Sequence, residues 1–240
     1  MAQRIPTDVI SPDSDGQPMG ETERHIRLTL DLIFTLRRWL AGRADAHVGG
    51  DLFIYYAEGN PRRVVCPDVF VAFGSHQGVL ETYQTWKDGP FPQVVIEITS
   101  SSTRRQDEVH KPILYERLGV EEYYLFDPRF DPPEPTAAGL MAPTPPEVEG
   151  VLKRYRRAGP GLTFGLVELA APDAALRSDL LGVDFVVRGA ELRALDAATG
   201  ALLLNPDEEA AARQVAEDRA QALADEVARL RARLGEDARD

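Results

Sequence analysis

The sequence predicts a mixed α/β domain: a helix, three strands, a helix and a further strand, with extra β-hairpins and a C-terminal helix. Three observations predict it. "ETERHIRLTLDLIFTLRRWLAGR" repeats apolar residues at helical spacing, and "VVCPDVFVAF" and "VVIEIT" are apolar runs of strand length. "PILYERLG" followed by "EEYYLFD" then sets a short helix between two strand-like runs.

Residues 1–20 are polar, with Pro and Gly, and read as an N-terminal arm. In the first helix Leu28, Leu32, Leu36 and Trp39 share one face, and Ile26, Leu30, Ile33 and Leu40 widen it, so the helix is largely buried and ends near Gly42. "DLFIYYA" is a strand candidate, and "EGNPRR" supplies the turn of a hairpin into "VVCPDVFVAF". The strand Val94–Thr99 follows "KDGPFP". The second helix starts with Pro112 at its first position, where the missing N–H costs nothing, and stops at Gly119. "DPPEPTAAGLMAPTPPEVEG" is too rich in proline for a core element and reads as a surface loop. "VLKRYRR" and "VDFVVRGAELRALD", the latter turning at Gly189, are antiparallel additions. The main domain therefore spans residues 21–205, and residues 206–240 form a helical tail. In that tail Ala216, Ala220, Leu223, Val227, Leu230 and Leu234 step by fours and threes, a short coiled-coil-like seam open to docking or to homodimer formation.

The 43% apolar content allows a sizeable core, and the single cysteine, Cys66, excludes an intrachain disulfide and suits a reducing cytoplasm. The start lacks an apolar signal core, and the most apolar helical stretch is broken by Asp31 and two arginines, so neither secretion nor a membrane span is expected. The net charge is −12. From Pro206 onward ten acidic residues face six basic ones, leaving −8 for the body. An acidic body is repelled by phosphate backbones, so a nucleic-acid partner requires a local basic strip or a metal.

Glu97 interrupts a run suited to a buried strand. A buried, unpaired carboxylate is expensive, so Glu97 needs a partner, a proton or a metal. Asp68, inside "VVCPDVFVAF", occupies a matching place, and hairpin pairing would set the two strands side by side. Taken singly, an acid in a strand points to solvent at an edge. As a pair, the two suit a hard divalent cation such as Mg²⁺ or Mn²⁺, which would compensate both charges. Lys111 is the one lysine between Lys87 and Lys153. It sits just ahead of the second helix, where it can orient a nucleophilic water or offset charge on a phosphate.

The segments "PDVFVAFG", "GPFPQVVIEITSSSTRRQDEVHKPILYERLGVEEYYLFDP" and "DSDGQPMGETERH" resemble the Uma2 family over roughly residues 12–205. The resemblance implies the restriction-endonuclease-like fold of the PD-(D/E)XK nucleases and divalent-metal-dependent hydrolysis of DNA phosphodiester bonds. It makes Asp68 the aspartate of the PD pair and Glu97 the second metal-binding acid. The standard nuclease motif has its lysine two residues after that acid, where this chain has Thr99. The family pattern displaces the lysine to the following helix, as Lys111 does. Glu21 would match the first-helix acid, with His25 four residues on and on the same face.

Other residues carry simpler readings beside functional ones. His25 is a hydrogen-bonded structural histidine or an accessory site residue, and His47, His76 and His110 share no zinc-ligand spacing. Cys66 is expected to pack in the core. Ser101, Arg104 and Arg105 in "SSSTRR" are turn residues or phosphate contacts. "KRYRR" is a phosphate-tracking strip or a charged, solvated strand edge. The function so read is an endonuclease. The alternative is a non-catalytic binding or regulatory module on the same core, favoured by the net acidity and by Thr99.

Overall fold

The computed structural model describes residues 22–75, 78–99, 103–128, 150–157, 163–168 and 174–237. The N-terminal arm, Glu21, His76, Ser101 and the proline-rich segment lie outside them, so the expectations placed there are not addressed below. The chain divides into two compact units, Met1–Leu203 and Leu204–Asp240.

In the first unit α1 (Glu23–Trp39) is capped by Thr22, whose hydroxyl accepts from the His25 amide, and its buried face carries Leu28, Leu32, Ile33 and Leu36. Four strands follow, β1 (Ala46–Gly49), β2 (Ile54–Tyr55), β3 (Val64–Val65) and β4 (Val69–Phe73). After β5 (Tyr83–Gln84) and β6 (Val94–Ile98), a widened π turn over Gln106–His110 runs into α2 (Lys111–Leu118), and β7 (Glu122–Asp127) closes the core order. Next come β8 (Val151–Arg157), β9 (Phe164–Glu168), β10 (Ala175–Ser178), β11 (Val183–Arg188) and β12 (Glu191–Asp196).

The main sheet has the order β1-β4-β6-β7-β8-β9. β6 and β7 are parallel, as the helix between them requires, and the other neighbours are antiparallel. Side chains alternate across this sheet. Val69, Val71, Val94, Ile96 and Ile98 enter the core under α1, while Phe70, Ala72, Val95, Tyr123 and Leu125 face the core that holds Tyr115 of α2.

Four expectations change. The first core strand is β1, which the sequence reading missed because two glycines in "HVGG" weaken any strand pattern. "DLFIYYA" contributes only β2, which pairs with β3 and β5 in a separate small sheet. "VVCPDVFVAF" is therefore two strands, broken at Cys66-Pro67-Asp68 because a proline cannot donate to a central ladder. The second helix also begins earlier than its proline suggests. Pro112 has no N–H, and its ring collides with the carbonyl four residues back, so the preceding turn opens to the π form, with the Lys111 amide bonding the Gln106 carbonyl.

The expected turn at Gly189 joins β11 to β12, with φ 59°. "KRYRR" lies on β8, an interior strand rather than an edge, and its charges are held internally. Lys153 pairs with Glu108 and Arg156 with Asp179, while Arg154 bonds the Arg177 carbonyl and Arg157 the Glu116 carbonyl.

In the second unit α3 (Pro206–Asp237) begins with a reciprocal capping box. The Glu208 amide donates to Asn205 Oδ1 and the Asn205 amide donates to Glu208 Oε2, each at 2.9 Å. Proline in the first turn and Asp207, Glu208 and Glu209 beside the positive end of the helix dipole add to this start.

Candidate active site

β4 and β6 are antiparallel neighbours with Val69 opposite Ile96. One step further along the same register, Asp68 stands opposite Glu97, and the alternation of side chains turns both to the α2 side of the sheet. The Asp68 amide donates to Glu97 Oε2 at 3.3 Å, and the Ile98 amide donates to Asp68 Oδ2 at 2.7 Å. Two strand ends thus lock two carboxylates side by side, the convergence that the interrupted apolar strands implied.

Both helices add to this pair. His25, in the first turn of α1, sets Nε2 3.1 Å from Asp68 Oδ1. From α2, Lys111 Nζ lies 2.9 Å from Glu97 Oε1 and 2.8 Å from Asp107 Oδ1. The Tyr115 hydroxyl donates to Glu97 Oε1 at 2.6 Å. Asp107, Lys111 and Tyr115 are spaced by four, so one helical face delivers all three. That spacing was legible in "DEVHKPILY", yet the sequence reading singled out Lys111 alone.

His25, Asp68, Glu97, Asp107 and Lys111 line a cavity of about 500 Å³ at the strand ends. Its walls also carry Asp51, Cys66 and Thr29, none of which the sequence reading placed in the site. Asp51 has φ 48°, rare outside glycine, and its carboxylate faces the Cys66 thiol at 3.7 Å. Cys66 is accordingly half-buried at the cavity wall instead of packed in the core. The Thr29 hydroxyl is buried and has no hydrogen-bond partner among the described residues. A buried orphan hydroxyl facing a cavity is a place for water or ligand.

Four carboxylates, Asp51, Asp68, Glu97 and Asp107, thus share the cavity with a single lysine. Burial pushes the Glu97 carboxyl up to about 8; Lys111 pulls it down and the Asp68 charge adds to the rise. Lys111 is pulled down by burial, but Glu97 and Asp107 outweigh that and hold it as a cation. Burial, then the charges of Asp51, Glu97 and Asp68, push the Cys66 thiol up to about 12. Excess negative charge in a hard-oxygen donor set is what a divalent cation relieves. Among the described residues no group of three or more His, Cys, Asp or Glu side chains is spaced to hold a metal ion. Mg²⁺ does not require one, since one or two carboxylates plus waters and substrate oxygens complete its shell.

The remaining sequence candidates lie beside the cavity. Thr99 is buried, its hydroxyl 3.4 Å from that of Thr103, at the place where the standard motif has lysine. Arg104 pairs with Asp127 at 3.1 Å, and Arg105 is exposed.

A mixed sheet carrying two acids at adjacent strand ends, with a lysine on the crossover helix, is a restriction-endonuclease-like α/β core. The Uma2 family model, described as "Putative restriction endonuclease", matches residues 10–135, more than half of the chain, and the chain belongs to that family. Among solved structures, a chain described as "a putative nuclease belonging to DUF820 from Anabaena variabilis ATCC 29413" is 14% identical. It matches with a TM-score of 0.46 over 70% of this chain and 80% of its own. No curated protein matches.

Proposed function

We propose that the chain is a divalent-metal-dependent endonuclease that hydrolyses DNA phosphodiester bonds. The observation that carries the reading is the shared cavity of Asp68 and Glu97, whose charges exceed what Lys111 neutralises. Asp68 and Glu97 would hold Mg²⁺ or Mn²⁺, and the ion, when bound, would polarise the phosphoryl oxygen and help ionise a water. His25 and the Ile98 amide fix the Asp68 carboxylate. Tyr115 and Lys111 fix Glu97 through Oε1, leaving Oε2, among the described residues, with only the long bond from the Asp68 amide. Lys111 Nζ stands where it can orient the attacking water and stabilise charge developing on the phosphate.

The test is titration calorimetry with Mn²⁺ together with plasmid cleavage. The wild-type chain should bind Mn²⁺ and cleave. Asp68→Asn should weaken binding by at least about tenfold and lower cleavage by about 10³-fold, as loss of a ligand demands. Equal Mn²⁺ affinity in the two proteins would remove Asp68 from the site.

For the tail, the proposed partner is a second copy. Leu223, Val227 and Leu230 are about half exposed on one stripe of α3, and an isolated helix with an uncovered stripe gains little stability alone. Glutamates and arginines flank that stripe and can pair across two helices. No helix among the described residues is long and apolar enough to cross a membrane. A chain ending at Leu204 should fold with an unchanged melting midpoint and change from dimer to monomer by light scattering. An unchanged mass would move the dimer contact elsewhere; failure to fold would make the tail part of the core.

A further inference from the structure

A second cavity of about 400 Å³ adjoins the acidic one and has the opposite character. Among the described residues Arg37, Arg43 and His47 line it, and no carboxylate does. Gly50 lines both cavities. A side chain could not be accommodated there, because a Cβ on Gly50 would lie 2.1 Å from the Asp68 carbonyl oxygen and 2.5 Å from Ile33 Cδ1. A bare strip of backbone therefore separates a carboxylate-rich cavity from a cationic one.

The three side chains are not equivalent. Arg43 is committed, with Nη2 3.2 Å from Asp45 Oδ2, a bond to the Leu180 carbonyl, and its guanidinium stacked over Phe73. His47 is buried and stacks on Phe70. Arg37 is different. Its Nε donates to the Val48 carbonyl at 3.0 Å, which fixes the plane of the guanidinium, and its two terminal nitrogens have no partner among the described residues. A guanidinium anchored at Nε, with its terminal N–H groups open to a cavity, is a preorganised fork for a phosphate.

Arg37 lies one helical turn after Ile33 on α1, and Ile33 lines the acidic cavity. A strand held with one phosphate at Asp68 and Glu97 would pass over Gly50 and bring a neighbouring phosphate to Arg37. The body of the chain is acidic and "KRYRR" is internally paired, so a local cation at this place answers the electrostatic objection to a nucleic-acid substrate.

We propose that the Arg37 cavity is a phosphate subsite, taking a backbone phosphate of the substrate strand next to the one at the acidic site. The assignment to substrate rests on the endonuclease reading; the chemistry of the cavity does not. The test therefore has two arms, both with the full chain. In the first, inorganic phosphate is titrated in EDTA while the Arg37 Nε–H resonance, identified by its loss in Arg37→Gln, is followed by NMR. The resonance should shift and saturate in wild type and in Asp68→Asn; a resonance that does not move overturns the subsite. In the second, a labelled DNA duplex is bound in Ca²⁺. Arg37→Gln should weaken binding about tenfold and reduce the slope of log affinity against log salt by about one, with Arg37→Lys restoring the slope but only part of the affinity. Wild-type affinity and slope in Arg37→Gln overturn the substrate assignment and leave the endonuclease reading intact. A wild-type chain that binds no DNA overturns that reading and the substrate assignment together, and the phosphate arm then decides whether the cavity is an anion site in its own right.

Discussion

Replacing Lys111 by alanine should destabilise the fold by about 3–5 kcal/mol at neutral pH, in addition to abolishing hydrolysis. From the sequence, Lys111 looks like a free catalytic side chain whose loss would leave melting nearly unchanged. Its position reverses that expectation. The ammonium sits between Glu97, 1% exposed, and Asp107, 3% exposed, at 2.9 and 2.8 Å. Removing it leaves Asp107 without its cation, while Glu97 can keep its proton at neutral pH, and an uncompensated buried charge costs far more than the intact pair contributes. The loss should shrink as pH falls, because protons then take the place of the ammonium. Urea unfolding of wild type and Lys111→Ala across this range measures both effects. Adding Asp107→Asn to Lys111→Ala should recover part of the loss, since it removes the orphaned charge. A single-mutant loss under about 1 kcal/mol would mean that the pair is as weak as a surface ion pair. Catalysis by Lys111 could then be tested without a stability correction.

The legible part of the site is the part set by local periodicity. Asp68 and Glu97 could be paired from the sequence because each interrupts an apolar strand at a matching place, and neighbouring strands carry their facing residues with them. Lys111 followed from the same reasoning applied to the next helix. Asp107 and Tyr115 were equally within reach at a spacing of four. Asp51, Cys66, Thr29 and Arg37 were not, because they reach the cavities through packing. α1 crosses the sheet above β1 and β4, and no spacing in the chain says which of its residues lies above the break at Pro67. β1 and the interior place of β8 were hidden for a related reason. A strand with two glycines has little pattern, and a strand rich in arginine looks solvated until its partners are known.

In chelator, the stability of the chain should fall as pH rises from about 5 to 8, and Mn²⁺ should cancel much of that fall. The sign follows from Glu97. Its carboxyl is raised from 4.5 to about 8 in the folded chain, burial being the main cause. Between those values the native state holds a proton that the unfolded state releases, so folding is favoured at low pH and the advantage is lost as pH climbs through 8. The size is on the order of a few kcal/mol, since each tenfold gain in proton affinity corresponds to about 1.4 kcal/mol. The proton has a place to sit, because among the described residues Glu97 Oε2 has only the 3.3 Å bond from the Asp68 amide while Oε1 accepts from Tyr115 and faces Lys111. A divalent ion competes for that oxygen, so its apparent affinity should rise with pH and level off above 8. Binding Mn²⁺ at pH 7 should release about one proton, read from calorimetry in buffers of different ionisation enthalpy. Glu97→Gln should flatten the pH dependence and abolish the release. A melting midpoint in EDTA that is flat or rising over this range, with no proton released on binding, would mean that Lys111 keeps Glu97 ionised throughout, and the ion would then be bound by carboxylates already charged.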